Sequence, residues 1–279
     1  MAVRIITDST SDISLDRQEE LGIEIVPLTV RFGGEDYLDG VTLTKQEFYE
    51  KLKNSTELPT TSQVNPETFV RVFEKYNGGD EIVGIFISGK LSGTCQSAVI
   101  AKQILGRENI HIVDSLNVTF ALGLLVYEAV RLRDEGLNAQ EICARLRDLM
   151  GRLRFYAMLD TLKYLKMGGR LSASSALLGT MLRIKPIITL KDGLVEVCDK
   201  KQGQRAAMEE IAQKVRTDPP AEGHVVAFGD SVSPEMTGML KELLADDIDL
   251  SSAVTLELGA VVGTHGGPGC AGIAYIARD

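Results

Sequence analysis

The sequence predicts an α/β protein of two domains, and three observations carry that expectation. In the first half, short apolar runs at Val3–Thr7, Glu81–Ile87 and Ile110–Val113 each end in a polar turn, and helical patterns alternate with them. Such alternation gives a mostly parallel sheet with helices on both faces. In the second half the turn Lys191-Asp192-Gly193 joins two β-rich runs, a signal for antiparallel pairing. The 279 residues, 44% hydrophobic and 25% charged, are enough for one large or two modest cores. The character changes near Gly151, which divides the chain into an N-terminal α/β domain over 1–152 and a C-terminal α+β domain with a mixed sheet over 153–279. No repeat, low-complexity tract or flexible linker separates the halves, so they should pack together, with a ligand at their junction.

The first strand runs into the polar turn Asp8-Ser9-Thr10-Ser11-Asp12. Ile23–Val30 is a second β-rich run, and Val30–Leu38 resembles a hairpin around Gly33-Gly34. A helix should begin after Thr44, because Glu47 three residues on completes a capping box. Another should begin at Asn65-Pro66, an N-cap followed by proline at the first helical position. Glu81–Ile87 reads as a buried strand that delivers the chain into Ser88-Gly89-Lys90-Leu91-Ser92-Gly93-Thr94, with a helix from about Cys95. Ile110–Val113 repeats the arrangement through Asp114-Ser115-Leu116-Asn117. Functional groups in parallel sheets gather beyond the strands' C-terminal ends. Asp8, Ser92 and Ser115 all fall there. Beyond Gly151, strands are expected at Arg154–Leu159, Ile184–Leu190, Leu194–Cys198, Val225–Phe228, Ala253–Leu258 and Ala271–Ile276, with helices at Arg205–Val215 and Met236–Leu244.

A net charge of −9 disfavours whole-molecule attraction to nucleic acid or an anionic membrane, so no nucleic-acid partner is expected. Met1 leads straight into strand-like sequence, without the features of a signal peptide. No apolar run approaches the ~20 residues of a membrane-spanning helix. Cys95, Cys143, Cys198 and Cys270 form no CxxC pair and read as reduced, mostly buried thiols of a cytoplasmic protein. A Walker loop, HExxH and G-x-G-x-x-G are all missing, so no metal or cofactor is expected.

One of only three histidines, His265, stands in Gly263-Thr264-His265-Gly266-Gly267-Pro268-Gly269, which reads as a loop able to approach a ligand closely. Ser92 precedes a helix start, where free backbone N–H groups suit a carboxylate or phosphate, although serine also serves there as a plain cap. Thr60-Thr61-Ser62-Gln63 reads as a turn rich in hydrogen-bonding side chains. Nine bases between Thr161 and Arg205, against three acids, leave that segment about +6, suited either to a solvated face or to an acidic partner. Ser92 and His265, with Asp8 or Asp114 orienting the imidazole, could also form a hydrolase triad, but Lys90 breaks the G-x-S-x-G pattern. Cys270 could supply a thiol nucleophile beside His265, or belong to the core.

TDSTSD, TTSQ, LSGTCQSA, VDSLNVT, GGRLS, KPI followed by DG, and GTHGGPG occur together here, and in this order the chain resembles the DegV family from Val3 to Ala277. These are bacterial fatty-acid-binding proteins that serve a fatty acid kinase. The resemblance implies a two-domain DegV-like fold enclosing one long-chain fatty acid between the domains. It implies that Thr61, Ser92 and His265 hold the carboxyl, and that Arg170 of GGRLS meets the kinase. The chain would then be a carrier and not an enzyme: it would present the carboxyl for ATP-dependent phosphorylation to acyl phosphate, with transient membrane contact for lipid exchange. The alternatives are a serine esterase or thioesterase using Ser92 and His265, and a lipid sensor without phosphotransfer. The chain departs from the family pattern at Gly89, where a second serine is common, and at Cys95, where an aromatic is frequent and could shape the acyl tunnel. Tunnel walls are expected from the helix after Asn117 and from Ser175–Leu182.

Overall fold

The computed structural model describes residues 2–76, 79–172 and 183–278. The first half runs β1 (Val3–Asp8), α1 (Leu15–Leu21), β2 (Ile23–Val26), β3 (Thr29–Phe32), β4 (Glu35–Leu38), α2 (Lys45–Asn54), β5 (Thr60–Ser62), α3 (Pro66–Glu74), β6 (Glu81–Phe86), α4 (Thr94–Leu105), β7 (Ile110–Asp114), α5 (Thr119–Asp134) and α6 (Ala139–Arg152). The second runs β8 (Leu153–Met158), α7 (Lys163–Met167), β9 (Ile184–Lys191), β10 (Leu194–Gln202), α8 (Gln204–Thr217), β11 (Ala227–Asp230), α9 (Pro234–Leu244), β12 (Val254–Glu257), α10 (Ala260–Gly266) and β13 (Ala271–Ile276).

The N-terminal sheet has the order β2-β1-β6-β7 and every pairing in it is parallel, as expected. Adjacent β1 residues serve opposite faces: Ile5 packs with α5 and α6, Ile6 with the side of α3 and α4. Both faces are therefore covered, which is why β1 and β6 read as continuous apolar runs instead of alternating ones. The capping box at Thr44 and Glu47 and the Asn65 cap with Pro66 form as their sequences predict. The C-terminal sheet has the order β10-β9-β8-β13-β11-β12 and is antiparallel except for β11 with β12. Asp192 and Gly193 both have positive φ (50° and 80°), the primed geometry that joins β9 to β10.

Helix α5 lies between the two sheets, touching β1 and β6 on one side and β8, β11, β12 and β13 on the other. Twelve of its sixteen residues are buried, so its sequence is apolar all round. One continuous core accordingly joins Ile5 and Val83 of the first sheet to Ala157, Ala227 and Ala274 of the second.

Four local expectations are corrected. The run Ile23–Val30 is two strands, because Pro27 cannot donate to a ladder and the chain turns there from β2 into β3. The turn after β1 is a buried 3₁₀ segment, Ser9–Ser11, capped by the Asp8 side chain. Thr60–Ser62 is not a turn: β5 pairs with β3 in a third, antiparallel sheet of order β4-β3-β5, which short polar strands do not advertise. His265 lies within α10, not in a loop. The glycines that suggested a loop serve packing instead, since a Cβ on Gly263 would lie 2.6 Å from the Tyr49 hydroxyl. Only beyond the helix do Gly267 and Gly269 adopt positive φ, 73° and 81°.

Candidate functional site

A cavity of about 350 Å³ lies between the two sheets. Its wall is mainly apolar, with Ile87 and Leu91 from the β6–α4 turn, Leu159 after β8, Leu190 of β9, Val195 of β10 and Val262 of α10. Val118 and Thr119 at the start of α5 contribute, as expected of the helix after Asn117; Ser175–Leu182, the other expected wall, falls outside the described residues.

Several polar groups converge on the wall from distant parts of the chain. Thr61 of β5 sits opposite Val30 of β3, so the alternation of the strand turns its side chain away from those of Thr60 and Ser62. Its Oγ1 lies 2.9 Å from Nε2 of His265, across a sequence separation of 204 residues. Ser92 ends the tight turn after β6, where the amides of Leu91 and Ser92 both donate to the Ser88 carbonyl (2.9 and 3.1 Å). Its Oγ accepts from the Thr94 amide at 3.3 Å and shares a 3.0 Å bond with Thr94 Oγ1. Gly93 caps α4, so Ser92 lies just before the helix start and takes up the Thr94 amide of its first turn. The Gln63 side chain crosses Gly93, where a Cβ would come within 2.0 Å of its Oε1, and Gln63 reaches Ser97 at 3.0 Å. Both Gln63 and Gly93, members of the hydrogen-bonding run and of the helix-start turn read in the sequence, line the cavity.

His265 packs against Gly168, whose missing side chain makes the room: a Cβ there would lie 2.2 Å from Nδ1. Nδ1 has no hydrogen-bond partner among the described residues. Burial, with the Arg170 guanidinium nearby, lowers the imidazole to about 4, so the ring is neutral near pH 7. An unmatched lone pair is easier to bury than an unmatched N–H, which favours the tautomer protonated at Nε2. That N–H donates to Thr61 Oγ1 and leaves the threonine's own hydroxyl hydrogen free for the cavity.

Arg170 is exposed yet lines the cavity, so it stands at the mouth. Its Nε donates to the Leu91 carbonyl at 3.2 Å and its Nη1 to that of Gly168 at 2.6 Å, which ties the turns carrying Ser92 and Gly168 together. Elsewhere in the basic segment part of the charge is matched locally, by Lys185 with Asp160, Lys201 with Asp199 and Glu210, and Arg205 with Glu209.

Of the three polar residues beyond strand ends, only Ser92 reaches the cavity. Asp8 is buried and accepts from the amides of Ile87 (2.8 Å) and Thr10 (2.9 Å); burial pushes it up to about 6. Ser115 closes its own turn onto Asn117. Asp114 holds the amides of Gly89 and Leu116 at 3.1 and 3.0 Å. The hydrolase triad is therefore not assembled. Ser92 is bonded to Thr94, and the charge beside His265 is a cation where a triad needs a carboxylate. Cys270 does line the cavity, but burial pushes its thiol up to about 12, far from a usable thiolate. Cys95 packs in the core beside α3 and is not among the described residues that line the cavity. Of the four thiols, Cys198 is exposed and the others are buried. Among the described residues no helix is long and apolar enough to cross a membrane.

The family model described as "Uncharacterised protein, DegV family" matches residues 2–278. The chain is 35% identical over 275 residues to a DegV domain-containing protein of Caldanaerobacter subterraneus subsp. tengcongensis, covering 98% of each. Among solved structures it is similar to a fatty-acid-binding DegV family protein from Thermus thermophilus, with 37% identity, a TM-score of 0.91 and coverage of 99% of this chain and 100% of that one. It is also similar to a stearic-acid-binding protein from Eubacterium ventriosum, with 27% identity, a TM-score of 0.88 and coverage of 100% and 98%.

Proposed function

The chain belongs to the DegV family, and on that premise we propose that it binds one long-chain fatty acid and presents the carboxyl to a fatty acid kinase. The observation that carries this reading is the presence of Thr61, Ser92 and His265 together on the wall of a mainly apolar cavity, Thr61 and His265 sharing a hydrogen bond. Burying an acyl chain is worth about 0.8 kcal/mol per CH₂, on the order of 10 kcal/mol for a long chain before association costs. A carboxyl taken out of water forfeits much of that gain unless it finds partners. The Thr61 and Ser92 hydroxyls supply donors, and His265 orients the threonine. Nothing in this set is poised to attack the carboxyl carbon. The arrangement suits holding an acid and does not suit hydrolysing an ester.

On this reading the kinase brings ATP and the catalytic groups and forms the acyl phosphate. Arg170, at the mouth, is both the last charge a carboxyl passes and a contact for the kinase. Residues 1–152 and 153–279 act as two domains with the ligand at their junction. The protein works in the cytoplasm and touches the membrane transiently to exchange lipid.

The first test is to denature the purified protein and examine the extract by mass spectrometry. One equivalent of fatty acid is expected, with about tenfold weaker retention in Ser92→Ala. An empty protein that hydrolyses acyl esters, and loses that activity in Ser92→Ala, would sink the reading. Incubation with purified fatty acid kinase and ATP should then yield acyl phosphate; binding without any phosphotransfer would instead favour a lipid sensor.

A further inference from the structure

Helix α10 has seven residues and so spans about 10 Å, with His265 near its far end. On one side its base continues β12, where the Leu258 amide donates to the Asp230 carbonyl at 2.8 Å; on the other it is fixed by side chains of the N-terminal half. The Gly259 amide donates to Asp12 Oδ1 at 2.8 Å and the Ala260 amide to Asp39 Oδ1 at 2.9 Å. Asp12 Oδ2 accepts from the Thr119 hydroxyl at 2.6 Å, and Thr119 itself lines the cavity. Lys45 Nζ bridges the carbonyls of Asp12 and Glu257, and the Tyr49 hydroxyl donates to the Leu258 carbonyl at 3.2 Å. The carboxylates crowd Gly259 so closely that a Cβ there would lie 3.0 Å from Asp39 Oδ1 and 3.2 Å from Asp12 Oδ1. Both aspartates are buried, 2% and 4% exposed, and neither belongs to the cavity wall.

We propose that Asp12 and Asp39 are positioning residues for the carboxyl site, fastening the base of the His265 helix to the N-terminal half so that Nε2 reaches Thr61. A helix N-terminus carries partial positive charge and unpaired amides, and two carboxylates satisfy both. Gly259 joins this helix to β12 of the other sheet, and glycine resists rotation least. Without the aspartates, α10 keeps its packing against Phe48 and Tyr49 at Gly263 and, at its far end, the bond from Ser231 Oγ to the Gly267 carbonyl (2.8 Å) and the contact with Tyr164, but nothing satisfies the amides of its base. A small rotation about the base moves the imbedded imidazole away from Thr61 and from the groove over Gly168.

The affinity part of the test rests on the fatty-acid reading; the spectroscopic part does not. With three histidines in the chain, ¹⁵N-imidazole spectra of the ligand-free protein resolve each ring. Asp39→Ala should shift the His265 signals and raise its titration midpoint toward that of a free imidazole, leaving His111 and His224 unchanged. Asp39→Asn and Asp12→Asn keep an oxygen acceptor for the helix amide and should restore the wild-type His265 signals. Fatty-acid affinity should fall about tenfold in Asp39→Ala. In a His265→Ala background the same change should cost less than about twofold, because a residue acting through His265 loses its effect when the imidazole is gone. Unmoved His265 signals in Asp39→Ala, or an undiminished loss in the His265→Ala background, would overturn the proposal. Should Asp39→Ala fail to fold, Asp39→Asn decides alone: a His265 signal displaced as far as in a Thr61→Val variant would overturn it. A wild-type protein that binds no fatty acid, yet shows the His265 shift in Asp39→Ala, would defeat the proposed function and leave the positioning role intact.

Discussion

Two sets of polar residues, one on the cavity wall and one buried in the N-terminal half, use their side chains in opposite ways. Thr61, Ser92 and His265 are half-buried, line a cavity and keep donor capacity directed into it. Asp8, Asp12 and Asp39 are buried outright and accept from the backbone amides of Ile87, Thr10, Gly259 and Ala260, while Asp39 Oδ2 has no partner among the described residues. The contrast separates binding from folding. The buried acids hold the chain together, while the groups offered to a ligand are hydroxyls and a neutral imidazole, which cost less to leave unpaired than a charge when no ligand is present.

The sharpest way to break this comparison is Asp8→Ala. Two buried amides would lose their acceptor, and the expected loss is about 4 kcal/mol of unfolding free energy. Urea denaturation measures it, and a loss below about 1 kcal/mol would show that Asp8 is no structural anchor.

The two clusters should also respond oppositely to pH. His265 falls from 6.5 to about 4 in the folded protein. Between those values the unfolded chain binds the proton better, so stability declines as the pH drops through this window, by about 3 kcal/mol in total. His265→Asn should remove that decline. Asp12 moves the other way, from 3.8 to about 7. There the folded protein holds a proton the unfolded chain has released, so its contribution is full below pH 3.8 and lost as the pH rises toward 7. Asp12→Asn should therefore gain on wild type as the pH is raised across that range; parallel stability curves would contradict both assignments.

Gly168→Ala probes the cavity cluster by shape, since Gly168 has an ordinary backbone conformation and the added Cβ would press mainly on His265, 2.2 Å from Nδ1, with the Tyr164 carbonyl next at 3.2 Å. Fatty-acid affinity should drop about tenfold, read by displacement of a fluorescent fatty acid. An unchanged affinity would mean that the imidazole's place is immaterial to binding. The smallest effect is expected at Cys95, which is remote from the cavity wall. Cys95→Ala should cost about 1 kcal/mol of stability and leave the preference among fatty acids as it was; a changed preference would extend the site into the α3–α4 core.

Much of the fold was legible because its signals are local. The capping box at Thr44 and Glu47, the Asn65-Pro66 start and the Asp192-Gly193 turn act over four residues or fewer, and each formed as expected. Ser92, Thr61 and His265 were legible through family motifs, and the cavity brings all three to its wall. What misled was ambiguity in glycine and in short polar runs. Gly263 and Gly266 looked like loop residues, but a glycine needed for close packing and one needed for a turn are the same letter. Thr60–Ser62 has too little apolar content to announce a strand, and only its pairing with β3 makes it one.

By itself the sequence determined the strand and helix order, the two kinds of sheet and the residue types available for a carboxyl. Hydrophobic periodicity, caps and turns encode these over short distances. Only the tertiary structure decided that Asp8, Asp12 and Asp39 are spent on backbone amides while Thr61 and His265, 204 residues apart, share a hydrogen bond. It also placed Arg170 at the cavity mouth and His265 over Gly168. Whether a polar side chain serves the fold or a ligand depends on which distant groups reach it first, and no local pattern carries that information.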